Sequence, residues 1–178
     1  MKKLFAAVLT LCLILSTPAM AAGEPEETYP AIPTNNTVVV SSRTDVPDAH
    51  LVFPAVYKIE GANYFKLRDL AILLRDSDRQ FSVDYDDSTK AVSITTGKPY
   101  APIGGELSGT AGETGSAALT NNVILIDGEA VSLTVFKIDG ANYFKLRDLG
   151  EALDFHVGYD DETKTVFISG ARGYEKDA

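Results

Sequence analysis

The chain has 178 residues, and its 45 % hydrophobic share can fill a core, which excludes wholesale disorder. Lysine and arginine number 16 against 25 aspartates and glutamates, and this net charge of −9 argues against a nucleic-acid partner, because no basic surplus is present to displace counterions from phosphate. A single cysteine and two histidines exclude a zinc finger, an iron–sulfur cluster and a disulfide scaffold.

The first 21 residues have the pattern of a secretory signal peptide. Lys2 and Lys3 precede an apolar run that ends before Pro18, and small residues lead to an expected cleavage after Ala21. The run is shorter than the roughly 20 residues of a spanning helix. We therefore expect a secreted or extracellular protein, with no membrane span and no cysteine in the mature chain.

The remaining sequence is a tandem duplication. The decapeptide GANYFKLRDL at Gly61–Leu70 recurs at Gly140–Leu149, 79 positions later. An acidic block at Val83–Lys90 recurs at Val157–Lys164 with an offset of 74, so the first copy carries five extra residues between its blocks. The predicted domains are a signal peptide (1–21), an extended N-terminal segment (22–33), repeat 1 (34–96), a Gly/Ser-rich linker (97–122), repeat 2 (123–170) and a C-terminal tail (171–178).

Each repeat is predicted to contain three strands, one helix and two further strands. Short runs of β-branched or aliphatic residues open the two repeats at Val38–Val40 and Val123–Ile126. Two strands then flank a tight turn, for which Asp139-Gly140 is a favoured pair and Glu60-Gly61 a weaker one. An acidic hairpin closes each repeat, with Asp and Thr residues that stabilise turns by bonding their own backbone.

A helix is expected after the second hairpin of each repeat. Leu67, Leu70, Ala71 and Leu74 recur at helical spacing and form one apolar stripe. We expect the helices to begin within about two residues of Leu67 and Leu146. The first should be the longer, because the five extra residues fall after its apolar stripe.

Both repeats resemble the domain family named after the N-terminal region of copper amine oxidases. The resemblance rests on the Asp/Gly turn, the aromatic pair, Leu-Arg-Asp-Leu at the helix start and the hairpin Tyr-Asp-Asp-any-Thr-Lys. It implies an α+β fold of two tandem repeats, each an antiparallel sheet of about five short strands curled around one helix. It also implies a non-catalytic appendage of secreted and surface proteins of Gram-positive bacteria.

Copper oxidase chemistry itself is not expected. It requires three histidines and a tyrosine converted to a quinone, whereas His50 and His156 occupy unrelated places in the two repeats. Tyr64 and Tyr143 are each followed by Phe rather than by the acidic residue of the quinone-forming motif. We therefore predict no catalytic residue, no cofactor and no metal site.

The acidic turns also offer the ligands of a calcium site. Asp84, Asp86 and Asp87 lie close together and offer oxygen ligands. The second repeat has Gly158 in place of Asp84, and the spacing lacks the features of an EF-hand loop. A hairpin capped by Asp and Thr is the preferred interpretation.

The repeated corner between sheet and helix supplies the candidate ligand-facing residues. These are Tyr64, Lys66, Arg68, Asp69, Tyr143, Lys145, Arg147 and Asp148. A structural role stays open for all of them, because the aspartates favour a helix N-terminus and recent duplication preserves identity without function. Tyr64, Tyr85, Tyr143 and Tyr159 are expected to pack with Tyr57 or Phe136 rather than to stack on sugars.

The predicted function is a secreted, non-catalytic binding or spacer module at the bacterial cell envelope. A cell-wall glycan or another envelope protein is the expected partner. The alternatives are a small secreted hydrolase that uses the acidic turn carboxylates and a purely structural stalk. Because a repeat of this size buries little surface alone, we expect the two repeats to dock as one cooperative unit, with the glycine-rich linker looped outside.

Overall fold

The computed structural model describes residues 27–41, 50–109 and 111–176. The predicted signal peptide, with its cleavage site, lies outside the described residues. The same holds for residues 22–26 of the N-terminal segment and for the last two residues of the tail.

The described residues form fourteen strands and two helices. The first half contributes β1 (Thr28–Pro33), β2 (Thr37–Ser41), β3 (His50–Val52), β4 (Val56–Ile59), β5 (Ala62–Lys66), α1 (Leu67–Leu73), β6 (Phe81–Asp86) and β7 (Ala91–Thr96). The second half contributes β8 (Gly115–Leu119), β9 (Val123–Ile126), β10 (Glu129–Val131), β11 (Val135–Ile138), β12 (Ala141–Lys145), α2 (Leu146–Leu153), β13 (His156–Asp160) and β14 (Thr165–Ser169).

The predicted fold class, α+β with a separate antiparallel sheet curled around one helix in each repeat, is wrong. The chain is mostly β, with 46 % strand and 11 % helix. Its strands form a closed six-stranded barrel and two four-stranded sheets. Each of the three contains strands from both halves of the chain, so neither repeat has a sheet of its own.

The barrel has approximate twofold symmetry. Its strand order is β1-β4-β5-β12-β11-β8, and the antiparallel pairing of β8 with β1 closes it. At its centre β5 pairs antiparallel with β12, and Phe65 lies opposite Phe144. These two residues occupy the same position of the repeated decapeptide. A residue paired with its own equivalent marks the symmetry axis, so the identical decapeptides meet across it.

The two four-stranded sheets exchange strands between the repeats. In the first sheet, β9 of repeat 2 pairs in parallel with β7 of repeat 1, with Ile124 opposite Val92. In the second, β2 of repeat 1 pairs in parallel with β14 of repeat 2, with Val38 opposite Val166. The registers are equivalent in the two sheets. Each exchange covers a hairpin edge whose backbone N–H and C=O groups would otherwise be open to other strands.

Successive side chains of a strand point to opposite faces, so the barrel strands contribute to two separate hydrophobic cores. The barrel interior is filled by Ala31, Tyr57, Ile59, Tyr64, Ala117, Phe136, Ile138 and Tyr143. The neighbouring residues Phe65 and Phe144 point outward into a larger core, which they share with both helices and both four-stranded sheets. The central barrel strands are thus buried on both faces, and this explains their apolar pairs.

Four strands were not predicted. β8 lies in the segment expected to be a linker, and β1 lies in the extended N-terminal segment. They complete the barrel together, so the linker segment does not simply loop outside. β3 and β10 are three-residue strands at the sheet edges, too short for a clear alternating pattern.

The helix starts are confirmed at Leu67 and Leu146. The expectation that the first helix is longer is wrong, because α1 has seven residues and α2 eight. The extra residues form an irregular turn that contacts repeat 2 instead. Arg79 donates from Nε to the carbonyl oxygen of Asp154 at 2.6 Å, and its Nη2 lies 3.3 Å from the Asp154 carboxylate.

Gly150 in α2 lies where this helix packs against the second four-stranded sheet. A Cβ at Gly150 would lie 2.8 Å from Val157 Cγ2 and 3.1 Å from the carbonyl oxygen of Phe155. We expect Gly150→Ala to destabilise the protein by about 1–3 kcal/mol despite the better helix propensity of alanine. Ala71, the equivalent position in α1, is fully buried, and Ala71→Gly should cost about 1 kcal/mol. Urea unfolding of both variants measures this, and a stabilised Gly150→Ala would contradict the packing.

Candidate functional site

Two grooves lie where the helix start of one repeat meets the tight turn of the other. The first groove, of ≈ 480 Å³, is lined by residues 66–69 of repeat 1 and by Gly140, Ala141 and Asn142 of repeat 2. The second groove, of ≈ 270 Å³, is lined by residues 145–147 of repeat 2 and by Gly61, Ala62 and Asn63 of repeat 1. Neither groove would exist in an isolated repeat, because each takes one wall from each half.

The tight turns present the same backbone to both grooves. Glu60 and Asp139 each have φ of 49°, and Gly61 and Gly140 follow with φ of 83° and 82°. Two successive positive φ values define the hairpin turn that the sequence predicted at Asp139-Gly140. The pair Glu60-Gly61 adopts the same turn, so the two groove walls are equivalent.

Tyr64 and Tyr143 do not reach either groove. Both are buried in the barrel interior, where Tyr64 packs edge-on against Phe136 with ring centroids 5.2 Å apart. Tyr143 packs in the same way against Tyr57 at 5.4 Å. Burial raises the pKa of Tyr64 to about 12 and also raises that of Tyr143. The expected packing with Tyr57 or Phe136 is confirmed for these two tyrosines.

Lys66, Arg68 and Asp69 all line the first groove. Arg68 is exposed, and Lys66 Nζ lies 3.4 Å from the carbonyl oxygen of Ser108. Asp69 is only 1 % exposed, and its Oδ1 accepts a hydrogen bond from the backbone N–H of Leu107 at 3.0 Å. Its Oδ2 has no hydrogen-bond partner within the part of the chain that the structure describes. Asp69 therefore fixes the segment after repeat 1 over the groove, and it makes no helix cap.

Lys145 and Arg147 line the second groove, whereas Asp148 lies beside it. Lys145 Nζ forms an ion pair with Asp148 Oδ1 at 2.9 Å, and both side chains are more than a third exposed. Asp69 and Asp148 are therefore equivalent in sequence but not in environment. Asp69 is buried and accepts a hydrogen bond from a backbone N–H, whereas Asp148 forms an ion pair with a lysine at the surface.

Tyr85 and Tyr159 are the aromatic residues of the grooves. Each is 40 % exposed, Tyr85 in the first groove and Tyr159 in the second. The expectation that they pack with Tyr57 or Phe136 is wrong, because they lie on the hairpin sheets rather than in the barrel. Lys58 and Lys137 are not among the predicted site residues, yet they also line the grooves. The one signal in the sequence is that each lysine alternates with apolar residues, which places it on the opposite face of its strand.

The carboxylates of the acidic turns accept hydrogen bonds from residues of their own hairpins. Asp86 Oδ1 accepts hydrogen bonds from the Ser88 backbone N–H at 2.8 Å and from the Ser88 hydroxyl at 2.6 Å. The Ser88 contacts lower the pKa of Asp86 to about 2. Asp160 accepts in the same way from the N–H groups of Glu162 and Thr163, which lower its pKa. Both carboxylates stabilise turns, as the sequence predicted.

No metal centre is assembled in the described part of the chain. Across residues 27–41, 50–109 and 111–176, no three or more His, Cys, Asp and Glu residues are grouped to hold an ion. Burial lowers the pKa of His156, whose Nδ1 is buried without a partner among those residues. His50 begins β3 at the edge of the second four-stranded sheet.

Neither α1 nor α2, the helices of the described region, has the length and apolar character needed to cross a membrane. No protein-family model, no curated protein and no solved structure matches the chain. The resemblance to the copper amine oxidase-like N-terminal domain family therefore stays a sequence-based hypothesis.

The buried carboxylate of Asp69 predicts a pH-dependent stability. Burial raises its pKa above the ordinary 3.8, so the folded state holds this proton more tightly than the unfolded state. Its contribution to stability is therefore greatest below pH 3.8 and falls as the pH rises, until the folded carboxyl has ionised. Asn at this position keeps an acceptor oxygen for Leu107 and carries no charge.

We expect Asp69→Asn to match the original protein near pH 3 and to be more stable at pH 7, by about 1–3 kcal/mol. Thermal unfolding across this pH range measures the difference. Asp148→Asn is the matched control, and loss of its half-exposed ion pair should change stability by less than about 1 kcal/mol. A stability gain for Asp69→Asn that does not vary with pH would contradict the explanation.

Proposed function

We propose that this chain is a non-catalytic, glycan-binding module that acts outside the cell at the bacterial envelope, with the two grooves as its binding surface. The signal-peptide pattern of residues 1–21 supports the location. The resemblance of both repeats to a family of appendages on secreted and surface proteins supports the envelope setting. The chemistry of the grooves supports a glycan as the ligand.

The observation that carries the proposal is the recurrence of one set of side chains in both grooves. Each has a half-exposed tyrosine, an asparagine in the strand that follows the tight turn, and a lysine and an arginine at the helix start. A tyrosine ring offers an apolar face to the C–H face of a sugar. Amide, ammonium and guanidinium groups donate hydrogen bonds that suit hydroxyl and carbonyl oxygens. A shallow polar groove with one aromatic platform fits a sugar unit of a chain.

The presence of two grooves favours a repetitive polymer over a single small molecule. Two linked sites convert the second binding event into an intramolecular one, so weak individual contacts add to a useful overall affinity. A wall glycan presents many identical units along one strand. Duplication of the module would thus increase its retention on such a surface.

The turn carboxylates support a non-catalytic role over the hydrolase alternative. Glycoside hydrolysis requires one carboxyl whose pKa is raised so that it can act as a general acid. The pKa of Asp86 is instead lowered to about 2 by the hydrogen bonds of its own turn, and that of Asp160 is also lowered. Replacement of these residues should therefore affect the hairpins and not a reaction.

Binding to purified peptidoglycan sacculi tests the proposal. We expect the mature protein to co-sediment with sacculi and the double variant Tyr85→Ala, Tyr159→Ala to lose most of this binding. The depletion of protein from the supernatant over a range of sacculus concentrations measures the affinity.

Phe167→Ala is the matched control. Phe167 is 38 % exposed, against 40 % for Tyr159, and lies on the neighbouring strand β14, outside the groove lining. It should retain binding. Equal losses in the tyrosine and Phe167 variants would contradict the groove assignment. A mature protein that does not co-sediment with sacculi would favour a purely structural stalk. Binding only to envelopes that still contain protein would favour a protein partner.

A further inference from the structure

The two grooves have a common part, and the first groove has an additional part. Among the described residues, each residue that lines the second groove, apart from Gly158, has its repeat equivalent in the lining of the first. The first groove is nevertheless the larger, at ≈ 480 Å³ against ≈ 270 Å³. Its lining is extended by Asp87, Lys90, Gly104, Gly105, Glu106 and Asn122.

Residues 103–108, which we call the strap, supply much of this additional part. They follow β7 in the segment that joins the repeats, and three of them line the first groove. Gly104 and Gly105 have φ of 97° and 86°, a region that favours glycine, and they present only backbone. A Cβ at Gly104 would meet no heavy atom within 4 Å. The strap thus adds a wall to the groove and leaves open space beside it.

One carboxylate holds the strap in a fixed shape. Glu106 Oε1 accepts hydrogen bonds from the Tyr100 hydroxyl at 2.6 Å and from the Ile103 N–H at 2.9 Å, and its Oε2 accepts from the Gly104 N–H at 3.0 Å. These contacts, the Tyr100 hydroxyl foremost, lower the pKa of Glu106 to about 2. The carboxylate is therefore ionised at neutral pH, and its hydrogen bonds are charge-assisted. Tyr100 is only 3 % exposed and belongs to the large core, so the strap is anchored from within.

The strap is also fixed to the helix start of repeat 1. The Leu107 N–H donates to Asp69 Oδ1 at 3.0 Å, and Lys66 Nζ donates to the carbonyl oxygen of Ser108 at 3.4 Å. In repeat 2, the equivalents of Lys66 and Asp69 instead form an ion pair with each other at 2.9 Å. Two identical decapeptides therefore border two different grooves, and the strap makes the difference.

We infer that the first groove holds two consecutive sugar units of a glycan chain, that the second groove holds one, and that the strap supplies the extra subsite. This inference rests on the proposed glycan-binding function. Clefts that bury most of a drug-sized ligand have volumes of about 300–1,000 Å³. A disaccharide is a ligand of this size, and a monosaccharide is smaller. The first groove lies within this range and the second groove below it.

The strap has the groups that a second sugar unit requires. An ionised carboxylate has about four acceptor sites, so Glu106 can still accept a hydrogen bond from a sugar hydroxyl. Gly104 and Gly105 have no side chains, which allows a sugar ring to approach the backbone closely. Because the contacts of the strap are already formed, a ligand does not have to order this segment when it binds. Tyr85 is then the platform for the neighbouring unit.

Variants that each retain one groove test the inference in the mature protein. Tyr159→Ala leaves the first groove intact, and Tyr85→Ala leaves the second. The probes are N-acetylglucosamine and its β-1,4-linked dimer and trimer, and protein-observed NMR titration measures both weak and tight binding. We expect the Tyr159→Ala protein to bind the dimer about tenfold or more tightly than the monosaccharide. The Tyr85→Ala protein should gain only about twofold, because either unit of the dimer can occupy its single subsite. A third unit should add no more than about threefold in either protein.

Removal of the strap carboxylate tests the role of the strap. In the Tyr159→Ala protein, Glu106→Ala should reduce the advantage of the dimer to about threefold or less. Glu113→Ala is the matched control, because Glu113 is an exposed acid of the same joining segment and lies outside the lining. It should keep the full advantage. Tyr100→Phe removes the hydroxyl that donates to Glu106 but keeps the ring in the core, so it should lower the advantage without a change of fold.

The outcomes separate failure of the inference from failure of the proposed function. Equal gains in the two single-groove proteins, a tenfold gain from the third unit, a full gain in Glu106→Ala, or equal losses in Glu106→Ala and Glu113→Ala would each overturn the inference, while glycan binding would stand. If the protein binds sacculi but none of the soluble sugars, the inference is also wrong, because a site for two units must hold a free disaccharide. If it binds neither, both proposals are wrong.

Discussion

The structure depends on the pairing of each terminal hairpin with a strand from the other repeat. In each of the β6–β7 and β13–β14 hairpins, no strand of the same repeat covers the inner edge, which is β7 or β14. The other repeat covers it with β9 or β2, in parallel and in equivalent registers. An unpaired edge exposes backbone donors and acceptors and invites aggregation. The exchange covers the β7 and β14 edges and leaves the short strands β10 and β3 at the sheet edges on that side. It also links the repeats through their backbones.

The remaining features follow from this exchange. Once the sheets are shared, the two decapeptides meet across the symmetry axis at Phe65 and Phe144, and the pairing of β1 with β8 closes the barrel. The helix start of each repeat is then placed against the tight turn of the other. The grooves form at these two places, so the proposed binding surface is a consequence of the association of the repeats. A chain with a single cysteine cannot form an internal disulfide. Its stability comes in the same step, because the large core is shared by both halves.

Local structure could be predicted from the sequence, but its assembly could not. Hydrophobic spacing and turn chemistry located both helix starts and both tight turns, since these depend on neighbours within a few residues. The exchange of β2 and β9 leaves no trace in periodicity, because Val38–Val40 has the same pattern whichever repeat it pairs with. β8 was not predicted because its residues are mostly small and lack the pattern of a strand. A small residue is needed at Ala117, which is fully buried in the crowded barrel interior.

The candidate site was predicted in part for the same reason. Repetition of the decapeptide pointed to Lys66, Arg68, Lys145 and Arg147, which line the grooves. Repetition could not distinguish these groove residues from Tyr64 and Tyr143, because the residues of the barrel core are also identical in the two repeats. The exposed tyrosines at 85 and 159 lie in strands that contain other apolar residues, and only the sheet assembly decides which face each one takes.

The most direct test of the exchange is to divide the chain between its halves. The fragments 22–109 and 111–178 each contain one set of seven strands and one helix. We expect each fragment, kept monomeric by dilution, to lack a cooperative thermal transition by circular dichroism. An equimolar mixture should form a one-to-one complex with the spectrum of the whole protein and a transition that rises with concentration. A monomeric 111–178 fragment that unfolds sharply at the temperature of the whole protein would contradict the account.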